Sequence, residues 1–109
     1  MIQSGNFLDG VPESFDTEFL TDFISTTDVL IERIVSYGQP SPEGFWYDNE
    51  RGELVFVIEG EGEVEFDNGK TYQLSKGQFL NIPAHAKHRV NKTASGRKTV
   101  WLCIYYKEN

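Results

Sequence analysis

From Val29 onward, apolar and polar positions follow the short rhythm of β-strands. Leu30-Ile31-Glu32-Arg33-Ile34-Val35 is rich in β-branched residues and runs into Tyr37-Gly38-Gln39-Pro40-Ser41-Pro42, a turn-forming loop. Residues 53–58 are apolar on both faces in their middle, the mark of a strand covered on both sides. Residues 62–66 alternate, with Val64 and Phe66 on one face and Glu63 and Glu65 on the other. Asp67-Asn68-Gly69-Lys70 then carries Asn-Gly, which predicts a hairpin turn with positive φ at both central residues. Residues 70–74 return with Tyr72 and Leu74 on the apolar face, and Ser75-Lys76-Gly77-Gln78 turns again. Phe79-Leu80-Asn81-Ile82 leads into Pro83, and strands at 88–90 and 99–106 complete the set. Short strands separated by turns predict an all-β sandwich or barrel.

The segment before Val29 reads differently. Phe15, Phe19, Leu20, Phe23 and Ile24 fall at helical spacing, with Ser14 or Asp16 as N-cap. The expected organisation is a helical segment over residues 1–26, packed on a barrel made by residues 27–109. A length of 109 residues supports one hydrophobic core rather than two.

Composition narrows the partners. A net charge of −7 argues against nucleic acid, whose phosphates need a basic surface. Residues 1–65 hold fifteen acids and two bases, and residues 66–109 two acids and eight bases. A barrel interleaves its halves, so these charges are expected to pair across strands rather than form an anion site. The single Cys103 excludes an internal disulfide and fits a reducing compartment. No run of residues is apolar enough for a membrane helix, and Met1-Ile2-Gln3-Ser4-Gly5 lacks the features of a signal peptide. The expected location is the cytoplasm. No phosphate-binding loop, dinucleotide fingerprint, nucleophile elbow or zinc-finger spacing occurs.

Two stretches resemble the paired motifs of the cupins. Glu53 followed after six residues by Gly60 is similar to the end of the first motif, and Gly77 with Pro83 and His88 is similar to the second. Together they span residues 44 to about 92. Ser41-Pro42-Glu43-Gly44-Phe45-Trp46-Tyr47-Asp48 with Pro83-Ala84-His85-Ala86-Lys87-His88-Arg89-Val90 resembles a bacterial group of small single-domain cupins. The resemblance implies an antiparallel jelly-roll barrel, or double-stranded β-helix. It also implies a homodimer formed through a sheet face and swapped N-terminal strands, and a small molecule bound inside the barrel. It fixes no reaction, since this barrel hosts many chemistries.

In metal-binding cupins two histidines and a glutamate of the first motif join the histidine of the second around a divalent ion. Glu53 and His88 occupy two of those positions. The His-x-His falls on Trp46-Tyr47-Asp48 or Tyr47-Asp48-Asn49, and the chain has two histidines in all. The resemblance thus leaves two readings open. One is a manganese, iron(II), nickel or zinc ion held by Glu53 and His88, with Asp48 or His85 as added ligands. The other is a metal-free barrel in which Glu53 and His88 pair with each other. Glu53 shares strand parity with Val55 and Val57, so a carboxylate facing inward there needs a cation or a hydrogen-bond partner. His88 alternates with Lys87 and Arg89 and is expected to face the interior with Val90. His85 takes a glycine's place at a turn, and Asp48 sits among loop polar residues. Trp46, Tyr47, Phe56, Trp101 and Tyr105 are candidate pocket walls, and Cys103 shares parity with Trp101 and Tyr105. If the barrel is an enzyme, Glu53 and His88 are its acid/base or ligand groups.

Overall fold

The fold is seen in a computed structural model, which describes residues 1–108. Eight strands appear: β1 (Phe19–Ser25), β2 (Val29–Ser36), β3 (Gly52–Glu59), β4 (Glu61–Phe66), β5 (Thr71–Ser75), β6 (Phe79–Ile82), β7 (His88–Thr93) and β8 (Thr99–Tyr106). They form a five-stranded sheet in the order β1-β2-β8-β3-β6 and a three-stranded sheet in the order β5-β4-β7, antiparallel throughout. The two sheets form the expected jelly-roll barrel, and Tyr47, in the loop between β2 and β3, makes an isolated antiparallel bridge to His88 of β7. Val55, Val57, Val64, Leu74, Ile82, Trp101 and Cys103 form the buried core between them. No helix among the described residues is long and apolar enough to cross a membrane.

The N-terminal helix is not there. Residues 14–18 are irregular, and Phe19–Ser25 is β1, paired with β2 from Phe19 opposite Val35 to Ser25 opposite Leu30. The apolar residues that suggested a buried helical stripe stay outside, with Leu20, Phe23 and Ile24 at 54%, 44% and 49% exposure. A short apolar run fits either period. The backbone groups of β2, otherwise an open sheet edge, decide between them by accepting a partner strand. The segment ahead of β1 is fastened to the outside of the sheet by Arg33. Its guanidinium donates to the carbonyls of Phe7 and Asp9, both at 2.7 Å, and to Thr21 Oγ1 at 3.0 Å, amid the rings of Phe7, Phe19 and Phe23.

The β4–β5 hairpin forms where Asn-Gly predicts it, but with a different turn. Only Gly69 has positive φ (87°). Gly69 N–H donates to Phe66 O and Phe66 N–H to Lys70 O, a three-residue loop with a glycine bulge rather than a two-residue turn. The paired charges are as expected: Glu63 meets Lys92 at 3.7 Å and Glu61 meets Arg97 at 3.8 Å, acids of the first half against bases of the second.

Register decides what faces the interior. On the five-stranded sheet Glu53 lies opposite Tyr105, Val55 opposite Cys103 and Val57 opposite Trp101, while Ile34 flanks Trp101 from the other side. On the three-stranded sheet Val64 pairs with Val90 and Phe66 with His88. Gly62 is required where it stands, because a Cβ there would overlap the Trp101 indole. Gly62→Ala is expected to destabilise the fold by roughly 1–3 kcal/mol through overpacking, read as a lower urea midpoint together with a shift in tryptophan emission.

Candidate functional site

Glu53 reaches the barrel interior from the large sheet and His88 from the small one. Their side chains meet, His88 Nε2 lying 3.2 Å from Glu53 Oε1. Both residues are nearly sealed from solvent, at 7% and 4% exposure. His88 Nδ1 lies 2.8 Å from the carbonyl oxygen of Ala86. A carbonyl only accepts, so Nδ1 carries a proton and Nε2 is the nitrogen that shares a proton with Glu53. Burial pulls the His88 pKa down. The Glu53 hydrogen bond, the Ala86 carbonyl and the Glu53 charge outweigh it and leave His88 above its usual value. Asn49 Nδ2 also donates to Glu53 Oε1, at 3.1 Å. Oε2 of Glu53 receives no hydrogen bond from any described residue and is open to the cavity.

The cavity is small, offering about 40 Å³ to the centre of a water-sized sphere. Its polar groups are Glu18, Tyr47, Glu53, His88 and Tyr105, set among Ile34, Val55, Val64, Ile82, Val90, Trp101 and Cys103. Of the aromatic residues suggested by the sequence, Tyr47, Trp101 and Tyr105 line it. Phe56 does not: it shares the outer face of β3 with Leu54 and packs on Phe79. Trp46 also lies outside, beneath the guanidinium of Arg89. Asp48 and His85 pair with each other on the surface, 2.8 Å apart, and neither joins Glu53 and His88. His85 adopts φ 64°, the left-handed conformation that explains why the second cupin motif has glycine here. Cys103 is buried with its thiol pKa pushed up, first by burial and then by the charges of Glu53 and Glu32, an unreactive setting.

Two polar residues of the site, Asn49 and Glu18, were not singled out from sequence, and Tyr47 was expected only as a pocket wall. Asn49 and Tyr47 both face Glu53 and His88, with Asp48 between them turned outward. The His-x-His position is therefore 47–49. The alternation was readable, but only once the loop length was known. Glu18, just before β1, accepts from Ser36 Oγ at 3.3 Å and from Tyr47 OH at 3.4 Å, while Trp101 Nε1 donates to Ser36 Oγ at 3.3 Å. It was invisible in sequence because the segment read as a helix.

The donors present do not fit a resident divalent ion. Among the described residues no group of three His, Cys, Asp or Glu side chains is placed to hold one. At the two motif-one histidine positions stand a phenol engaged with Glu18 and an amide engaged with Glu53. Two cis donors, Glu53 and His88, remain.

Such a barrel, with a closed core and a few polar groups converging in its interior, defines a small antiparallel jelly-roll protein. The chain belongs to the cupin family: the Cupin domain family matches residues 35–105. A structure from Ralstonia eutropha JMP134, named "putative mannose-6-phosphate isomerase", is 36% identical, with a TM-score of 0.92 over 97% of this chain and 99% of that one. A cupin superfamily protein from Desulfitobacterium hafniense DCB-2 shares the fold at 17% identity, with a TM-score of 0.75 over 90% of this chain and 84% of that one. An L-ectoine synthase of Saccharopolyspora erythraea is 39% identical over 62 residues, 56% of this chain and 43% of that protein. The chain thus spans less than half the length of the curated relatives it matches.

The interior acids generate a pH dependence. Glu32, on the inner face of β2, is pushed up to about 7 by burial, by hydrogen bonding to and the charge of Asp22, and by the charges of Glu53 and Glu18. Glu18 is raised by burial against the opposing hydroxyls. Glu32, Glu18 and His88 all hold protons more tightly folded than unfolded. The stability they contribute is complete below the unfolded values of 4.5 for the acids and 6.5 for His88, and is lost as pH rises through the folded ones. The urea midpoint is expected to fall from pH 5 to pH 8, and Glu32→Gln to flatten that fall. A wild-type midpoint rising over the same range contradicts the assignment.

Proposed function

We propose that this cupin binds a small polar molecule inside its barrel and acts on it by proton transfer through Glu53 and His88, without a resident metal. The observation behind this reading is the buried Glu53–His88 contact, with its shared proton and one carboxylate oxygen left open to the cavity. An imidazole near neutrality paired with a carboxylate can take a proton from a ligand and return it. The cavity offers about 40 Å³ to the centre of a water-sized sphere, which suits a ligand of a few heavy atoms. The names carried by relatives, a synthase and an isomerase, favour turnover over passive binding. A reducing compartment such as the cytoplasm suits the buried free thiol.

Elemental analysis of protein made without a histidine tag and kept from chelators tests the metal-free part. Well under one transition metal per chain is expected, even after incubation with manganese, iron(II), nickel or zinc. Close to one per chain, disappearing in Glu53→Ala and His88→Ala, establishes the metalloenzyme instead. Breaking the buried pair in either variant should also cost about 3–5 kcal/mol of stability. A ligand that binds the interior and leaves unchanged reduces the protein to a sensory or storage module.

The same reading includes a homodimer. The outer face of the large sheet is apolar, with Leu54, Phe56, Ile58, Leu102 and Ile104 half-buried and Phe79 59% exposed. A second copy is the occupant that the cupin resemblance implies for this face. Light scattering should give twice the chain mass for the wild type and the single-chain mass for Phe56→Arg/Phe79→Arg. A wild-type monomer removes the dimer.

A further inference from the structure

Taking the barrel interior as the binding site, we infer that it selects a small organic cation, a protonated amine, and that Glu18 is the carboxylate that receives it. The charge of the walls carries the argument. The cavity lining contains Glu18, Glu53 and His88, and no lysine or arginine. Arg51 lines a separate depression with Glu32, Asn49 and Tyr105, and two further arginines are turned away. Arg33 lies on the opposite face of β2, held by the Phe7 and Asp9 carbonyls, and Arg89 reaches outward to the carbonyls of Ser41 and Pro42.

The one imidazole does not offset both acids. With Nδ1 committed to the Ala86 carbonyl, the single proton between His88 Nε2 and Glu53 Oε1 makes that pair neutral as a unit, wherever the proton sits. An ionised Glu18 is then an uncompensated negative charge. Among the described residues its only partners are two hydroxyls at 3.3 and 3.4 Å, and neither is a cation. Glu53, sealed at 7% exposure, adds an oxygen with no donor of its own. A buried carboxylate in this condition favours a charged donor, and the charge-assisted bond is about twice as strong as a neutral one. The aromatic rings of Trp101 and Tyr105 also belong to the cavity walls, a setting that suits an organic cation. A phosphate or carboxylate finds the reverse: like charge and no guanidinium or ammonium. The interior is therefore built against a sugar phosphate.

Glu18 is a specificity-determining residue that the cupin motifs do not contain. It comes from the segment ahead of β1, so the seating of that segment on Arg33 and β2 sets the charge of the cavity.

The experiment uses size-matched probes: propylammonium, 1-propanol, propionate and inorganic phosphate. The full chain carries Trp46→Phe, which leaves Trp101 as the sole tryptophan reporting from the cavity wall. Propylammonium should change Trp101 emission and bind saturably, with propionate and phosphate inert. Glu18→Gln should weaken propylammonium by about tenfold or more, and Glu18→Asp should keep part of the affinity. Asp48→Asn, a surface charge change, should alter nothing. Propanol binding as tightly as propylammonium, or Glu18→Gln binding it undiminished, overturns the inference while leaving the interior site standing. Propionate or phosphate binding more tightly than propylammonium does the same. If no probe perturbs Trp101, the inference and the interior site both fall.

Discussion

One contact across the barrel organises this molecule: the hydrogen bond between Glu53 of the large sheet and His88 of the small one. A carboxylate and an imidazole, each sealed from water, can share an apolar interior only if they satisfy one another. Their geometry fixes which nitrogen holds which proton, because the Ala86 carbonyl leaves Nδ1 no choice. It also pins the two sheets together across the cavity that Val55, Ile82 and Val90 help to line.

Around this pair the chain has exchanged a metal-ligand set for a hydrogen-bond network. Where the family motif places two histidines, Tyr47 stacks on His88 and donates to Glu18, and Asn49 donates to Glu53. The same backbone positions still point inward, so the barrel keeps its site while changing what the site can hold. The fold carries the geometry, and the side chains at 47, 49 and 18 carry the chemistry.

The N-terminal segment connects the outside of the barrel to its inside. Arg33 holds it by carbonyls and rings on one face of β2, and a few residues later Glu18 enters the cavity on the other. Neither residue belongs to a cupin motif. Through Glu18 the segment ahead of β1 contributes a side chain to the cavity lining.

The strands from β2 to β8, the places of the turns between them and the inward parity of Glu53, His88, Trp101 and Tyr105 were legible in the sequence. A two-residue repeat bounded by Gly and Pro is a local property of the chain, and one buried face fixes its register. The segment 14–24 was misread because Phe15, Phe19, Leu20, Phe23 and Ile24 satisfy a helical period, while β2 offers an open edge that no local pattern reveals. Phe56 was misplaced for a related reason: a strand apolar on both faces does not say which face is the cavity. The pairing of Asp48 with His85, the role of Asn49 and the arrival of Glu18 depend on contacts between residues 4 to 37 positions apart. The sequence by itself determined the barrel's strands and the inward facing of Glu53 and His88, because both follow from local alternation. Only tertiary structure decided what surrounds that pair, because the partners come from loops and a terminal segment whose placement is set by distant strands.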